Sequence, residues 1–177
     1  MPTSKDARLP ERHPDPTAVV LTLSDTVASG AKDDTAGQAV ADALAVAGIR
    51  VVAREVLPDE PDELIVAMQR WLLQRPEVIV TVGGTGVGPR DHTPDAIRPM
   101  LTMEIPGIME AARAYGMTKT PYAMLSRGIA GLIGTTIVIT APGSRGGATE
   151  TMEAISEALR HLVDVVHVKF PHDGGYE

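Results

Sequence analysis

Val78-Ile79-Val80-Thr81-Val82-Gly83-Gly84-Thr85-Gly86-Val87-Gly88-Pro89-Arg90-Asp91 joins an unbroken β-branched run to a glycine-rich turn that ends in an arginine and an aspartate. A strand with one face in water alternates apolar and polar side chains. Residues 78–82 are apolar apart from Thr81 and do not alternate, the pattern of a central strand covered on both faces. Such strands belong to parallel sheets with crossover helices, so this stretch predicts an α/β fold.

The flanking sequence repeats the alternation. Residues 18–23 form a first strand, residues 24–34 are polar, and Ala36, Val40, Ala43, Leu44 and Ala47 are spaced as the buried face of a helix. Gly48 stands where a helix-terminating glycine belongs. A second strand covers 51–57, and a helix over 60–74 places Leu64, Ile65, Met68, Trp71 and Leu72 on one face, with Trp71 in the core. Downstream, Thr93 and Pro94 suit the cap and first position of a short helix, Pro106-Gly107 interrupts, and a helix follows near 108–115. Residues 122–134, with Gly128, Gly131 and Gly134, read equally as strand, hairpin or loop. A strand at 136–140 leads into Ala141-Pro142-Gly143-Ser144-Arg145-Gly146-Gly147 and a long helix faced by Met152, Ile155, Leu159, Leu162, Val163 and Val166.

At 177 residues the default is one domain, expected over 17–168. Residues 1–16, with Pro2, Pro10, Pro14 and Pro16, are too poor in apolar residues to offset ordering entropy and read as a disordered tail; residues 169–177 read as a second tail. The absence of Cys excludes disulfides and thiolate metal sites. Neither a signal-peptide core nor a membrane-spanning run appears, which fits a cytoplasmic home without membrane attachment. A net charge of −7 and a pI near 5.2 argue against nucleic-acid binding. An anionic ligand would therefore need local arginines and main-chain N–H groups against the field of the whole molecule.

In open parallel sheets ligands sit beyond the carboxyl ends of the strands. The loop at Gly83, Gly84, Thr85 and Gly86 lets main-chain N–H groups approach a phosphate that a Cβ would exclude. Ser144 follows Pro142 and Gly143 at the start of a helix, where an anion is favoured, though Ser144 is equally a plain helix cap. Arg90, Arg127 and Arg145 supply charge near these loops. The sequence is neither a P-loop nor a dinucleotide fingerprint, and a glycine-rich turn can be only a turn. Asp25, Asp59 and Asp91 follow the first three strands, and Asp59 and Asp91 are the pair to hold Mg²⁺ beside nucleotide phosphates, with a helix cap as the plainer role for Asp59. His92 is the only histidine in these loops, which leaves no Cys/His nucleophile pair and no zinc set. His161 and His167, six apart on one helix, lie on different faces. Phosphoryl-type transfer needs neither, since positioning and charge stabilisation supply most of its catalysis.

The run Thr81 to Ala96 resembles the signature of the MoaB/Mog family, which includes bacterial molybdopterin adenylyltransferases and related domains of plant and animal molybdenum insertion proteins. Leu23-Ser24-Asp25 with Gly30, Pro58-Asp59-Glu60, Glu104-Ile105-Pro106-Gly107, Leu125-Ser126-Arg127 and Pro142-Gly143-Ser144 follow in the family's order, so the resemblance spans about residues 17–166. It implies a three-layer α/β/α domain with a mostly parallel sheet, a homotrimer or a hexamer built as a dimer of trimers, and a molybdenum insertion protein as partner. The implied activity is Mg²⁺-dependent transfer of AMP from ATP to the terminal phosphate of molybdopterin. By position Asp59 and Asp91 match the family's functional acids and metal ligands. Ser24, Asp25, Gly83, Gly84, Thr85, Gly86, Arg90, Ser126, Arg127, Pro142, Gly143 and Ser144 are the expected substrate-binding residues. The pterin comes from resemblance alone, as only 3% of residues are aromatic. His92 and Gly88 depart from the common pattern, which keeps open a binding or carrier module without catalysis, and, further off, an assembly scaffold.

Overall fold

β3 (Val78–Val82), buried at every residue, lies between β1 (Thr17–Leu23) and β6 (Thr136–Ala141) in this computed structural model, which describes residues 12–168. Both neighbours run parallel to it, with Val80 opposite Val20 on one side and Ile139 on the other. β2 (Arg50–Leu57) extends the parallel set beyond β1. β5 (Ala130–Ile133) and the two-residue β4 (Met103–Glu104) finish the opposite edge as antiparallel strands, giving the order β2-β1-β3-β6-β5-β4.

The sheet is apolar on both faces because both carry helices. On one face α2 (Thr35–Val46), α5 (Pro106–Met117) and α6 (Arg145–His167) bring Val40, Leu44, Met109, Met152 and Leu159 against Val20, Val80 and Ile139. On the other, α3 (Pro61–Leu72) and α4 (Thr93–Ile97) bring Leu64, Met68 and Ile97 against Leu21, Ile79 and Val138. The result is the expected three-layer α/β/α arrangement. Ile79 is fully buried in the second layer, so Ile79→Ala should lower unfolding free energy by about 2–5 kcal/mol in urea titrations.

Several local expectations are corrected. The polar segment after β1 contains a short helix, α1 (Asp25–Ala28), started by Ser24, whose Oγ accepts from Val27 N at 3.4 Å. Thr93 is not a cap: His92 holds that position without a side-chain bond, and Thr93 is buried as the first helical residue. Pro106-Gly107 opens α5 rather than breaking the chain, since proline's missing N–H is harmless in a first turn. The undecided 122–134 stretch resolves into a 3-10 turn (Pro121–Leu125) and β5. Trp71 is half-buried, and its Nε1 donates to Glu55 Oε2 at 2.8 Å.

The expected tails fall outside the described residues at 1–11 and 169–177. Residues 13–16, assigned to the first tail, are tied to the body instead. The main-chain N–H of His13 donates to Asp164 Oδ1 at 2.8 Å, Arg160 donates to the His13 carbonyl at 2.9 Å, and Arg50 N donates to the Pro16 carbonyl at 2.8 Å. Main-chain bonds of this kind need no apolar side chains, which is why the low apolar content missed them.

Candidate functional site

Because β1, β2, β3 and β6 are parallel, their carboxyl ends gather on one edge and bring together loops distant in sequence. Gly83 is the hub. Its N–H donates to the Ala141 carbonyl at 2.9 Å, its φ is +111°, and a Cβ there would stand 2.3 Å from the Leu23 carbonyl oxygen. Only glycine allows the ends of β1, β3 and β6 to meet so closely.

Two cavities open from this hub. One, of about 390 Å³, lies over β1 and is lined by Ser24, Lys32, Asp59, Gly83, Gly84, Asp91 and Gly143 among others. The second, about 610 Å³, opens toward α5 and α6 and takes in Thr85, Gly86, Ser126, Pro142 and Ser144. Gly84, Asp91 and Gly143 line both, so the cavities form two arms of one cleft that meet at the glycine turn.

Asp59 and Asp91 thus face the same arm. Asp59 does not cap α3; that position belongs to Glu60, which makes no side-chain cap bond. Asp59 instead exchanges bonds with Asp25. The Asp25 N–H donates to Asp59 Oδ2 and the Asp59 N–H to Asp25 Oδ1, each at 3.0 Å. Asp91 is turned back into its own loop, where the Gly88 N–H donates to Oδ2 at 2.8 Å. A Cβ at Gly86 or at Gly88 would come within 2.8 Å of that oxygen, so the two glycines make room for the carboxylate. Oδ1 of Asp59 and Oδ1 of Asp91 have no protein donor among the described residues. The main-chain N–H groups of Gly84, Thr85 and Gly86 likewise donate to no protein acceptor among the described residues.

The arginines are placed less simply. Arg127 lies behind the glycine loop and lines neither arm. Its Nε donates to the Gly86 carbonyl at 2.7 Å, its Nη2 to the Asp91 carbonyl, and its Nη1 to both Asp95 oxygens at 3.0 Å, while its main-chain N–H donates to the Thr85 carbonyl at 2.7 Å. It fixes the loop from outside. Arg90 sits on the rim, where Nη2 donates to Asp25 Oδ2 at 2.7 Å and Nη1 to Glu60 Oε1 at 2.9 Å. Asp25 therefore steadies Asp59 rather than lining either arm. Arg145 lines a groove between α2 and α6, away from the cleft. Ser144 caps α6, its Oγ accepting from Gly147 N at 3.1 Å, and still lines the larger arm.

Asp25 carries a titration signature. The N–H of Asp59, and after it the Arg90 guanidinium, hold the Asp25 carboxyl below its usual value of 3.8. Asp25 and Glu60 in turn push the Arg90 guanidinium up. A lowered carboxyl pKa means these bonds contribute in full above the ordinary carboxylate range and are lost only as pH falls through the lower folded-state value. In an NMR titration the Asp25 midpoint should lie below 3.8, and Arg90→Met should raise it only part of the way, because the Asp59 bond remains. A wild-type midpoint at or above 3.8 would contradict this lock.

Residues absent from the sequence reading also line the cleft. Lys32, in the turn before α2, faces the arm of the two aspartates. Arg113 on α5 lines the larger arm and donates through Nη1 to the Gly128 carbonyl at 3.0 Å. Met109, Ala112, Gly116, Ala123 and Leu125 give that arm an apolar wall, with Tyr122 and Glu150 beside it. They stand on helices and in the 3-10 turn, beyond the strand-end loops where ligand residues were sought.

Comparison with known proteins places the chain. A family model described as the probable molybdopterin binding domain matches residues 19–161. A molybdenum cofactor biosynthesis bifunctional protein of Chlorobaculum tepidum is 40% identical over 146 residues, 82% of this chain and 47% of that protein. Molybdenum cofactor biosynthesis protein B of Staphylococcus aureus is 35% identical over 151 residues, 82% of this chain and 89% of its own length. The crystal structure of the molybdopterin biosynthesis enzyme MoaB of Thermus thermophilus superposes with a TM-score of 0.79 at 41% identity, covering 88% of this chain and 98% of that one. The chain thus spans less than half of the first of these relatives and most of the second.

Proposed function

The chain belongs to the MoaB/Mog family of probable molybdopterin binding domains, and from that premise we propose that it acts in molybdenum cofactor biosynthesis by transferring AMP from ATP to the terminal phosphate of molybdopterin with Mg²⁺. One observation carries the reading: Asp59 and Asp91, from loops after different strands, line the same arm of a cleft whose floor is the Gly83-Gly84 turn.

The donor set fits a magnesium ion. Each aspartate keeps one oxygen without a protein donor, and among the described residues no group of three or more His, Cys, Asp or Glu could hold a metal alone. Magnesium is usually held by one or two carboxylates together with substrate phosphates, so two aspartates suffice. When bound it would neutralise charge on the nucleotide phosphates.

The remaining tasks fall to the chain itself. The N–H groups of Gly84, Thr85 and Gly86 and the N-terminus of the 23-residue α6 favour anionic oxygens where the two arms meet. Lys32 adds a full positive charge at the smaller arm. A phosphate monoester is largely ionised at neutral pH, so its oxygen can attack the α-phosphorus of ATP without a protein base. A new P–O–P link forms, the bond from the α-phosphorus to the bridging oxygen breaks, and pyrophosphate leaves with that electron pair.

Family resemblance supports a cytoplasmic homotrimer, or a dimer of trimers, that serves a molybdenum insertion protein. No helix among the described residues is long and apolar enough to cross a membrane. Incubation with ATP, Mg²⁺ and molybdopterin, followed by mass analysis, should show adenylylated molybdopterin and one equivalent of pyrophosphate. Bound but unmodified molybdopterin would reassign the chain as a binding or carrier module, and binding of neither substrate would leave a scaffold.

A further inference from the structure

A second cluster of polar groups stands at the opposite end of the sheet from the cleft. The parallel strands begin there, and α6, which starts beside the cleft, ends there. His13 enters from the arm before β1, His167 is the last residue of α6, and Glu77 immediately precedes β3. The two imidazole rings meet edge to face with their centres 5.5 Å apart. His13 Nδ1 and His167 Nε2 are buried atoms, and neither has a hydrogen-bond partner among the described residues. On its other side His13 Nε2 lies 3.5 Å from Glu77 Oε1, while Glu77 Oε2 accepts from the N–H and the hydroxyl of Thr17, each at 2.7 Å. Burial pushes the Glu77 carboxyl up, but the Thr17 donors and His13 outweigh it and hold the group below its usual value of 4.5.

Buried ring nitrogens ordinarily find a protein group, a water or an ion. The ionised Glu77 favours the His13 proton on Nε2, which leaves Nδ1 with its lone pair. A carboxylate behind the far nitrogen is the usual support of a metal-bound histidine. Two imidazoles on one metal, at metal–nitrogen distances of about 2.0–2.1 Å and a tetrahedral angle, hold their ring centres roughly 5 Å apart. The 5.5 Å separation of His13 and His167 is close to that. Arg160 does not oppose a cation freely, since it is taken up by Asp164 Oδ1 at 2.6 Å and by the His13 carbonyl at 2.9 Å. We propose that His13 Nδ1 and His167 Nε2 bind a divalent transition-metal ion of the zinc class, with Glu77 orienting His13 and water completing the shell. Among the described residues no third His, Cys, Asp or Glu joins the set, so the ion is exchangeable. It ties the arm before β1 to the end of α6 and closes nearly the whole described chain into one loop, a constraint whose effect rises with loop length. Strand-end loops could not disclose this pair, because its members come from opposite ends of the chain.

Titration calorimetry with ZnCl2 on the full-length, untagged chain, first treated with EDTA, should show one zinc ion bound per chain. His13→Ala and His167→Ala should each weaken that binding on the order of 100-fold or more, and Glu77→Gln about 10-fold, the scale on which supporting carboxylates act. His92→Ala, at the other end of the sheet, should leave it unchanged. Zinc should raise the melting temperature of the wild type and not of the His13 and His167 variants, because only a bound ion stabilises the folded state by mass action. AMP transfer with Mg²⁺ should stay near wild type in both variants, so this site and the proposed reaction fail separately. Should either variant not fold, the ring ¹⁵N shifts of the wild-type histidines decide, with zinc moving His13 Nδ1 and His167 Nε2. Zinc binding that persists in both variants, shifts confined to other histidines, or no binding at millimolar zinc would overturn the site.

Discussion

Asp59→Asn and Asp91→Asn should each slow pyrophosphate release on the order of 100-fold or more, the scale on which single electrostatic contributors to phosphoryl-type transfer act. The substitutions exchange a charge for an amide of the same shape. In Asp59→Asn the amide oxygen can still accept from the Asp25 N–H, and in Asp91→Asn it can still accept from Gly88, so both loops keep their bonds. What disappears is half the charge offered to a divalent cation. Thermal melting should therefore stay near wild type while activity falls. An additional tenfold excess of Mg²⁺ should recover part of the rate if the loss lies in metal affinity. Wild-type turnover in either variant would remove that residue from the metal site.

Gly83→Ala should be the most destabilising single methyl addition in the cleft, at roughly 3 kcal/mol or more. The added Cβ meets the Leu23 carbonyl oxygen at 2.3 Å and its carbon at 3.3 Å. These are main-chain atoms at the end of a buried central strand and cannot rotate aside. A φ of +111° adds strain that any L side chain would feel. Gly48→Ala is the matched control, with φ +73° and nothing within 4 Å of the new carbon, so it should lose only about 1–2 kcal/mol of backbone preference. Urea unfolding of the two variants separates the contact from the backbone term. Equal losses would mean that the junction of β1, β3 and β6 is looser than described.

These glycines also show what a sequence can and cannot disclose. The apolar run of β3 and the three-and-four spacing of α2, α3 and α6 announce burial directly, because each side chain reports its own surroundings. Gly131 is different: its stretch read equally as strand, hairpin or loop, and it sits in β5, where a Cβ would come within 2.2 Å of the Met103 carbonyl oxygen of the edge strand. A glycine that permits close approach and one that permits a turn look the same until the neighbour is known. Arg127 poses the same difficulty in charge. Its position in the Leu125-Ser126-Arg127 run suggested an anion contact, whereas two carbonyls and a carboxylate claim its guanidinium donors. Glu150 and Arg113 were hidden for a third reason. They reach the cleft from α6 and α5, and no local pattern marks which turn of a helix faces a cavity.

The meeting of Asp59 and Asp91 over the glycine turn is most directly tested by replacing Mg²⁺ with Mn²⁺ in crystals grown with a non-hydrolysable ATP analogue and recording anomalous diffraction. A manganese peak within coordination distance of a carboxylate oxygen from both aspartates, with the analogue's phosphates beside Gly84, is the predicted result. A peak held by other residues, or phosphates bound away from that turn, would contradict it.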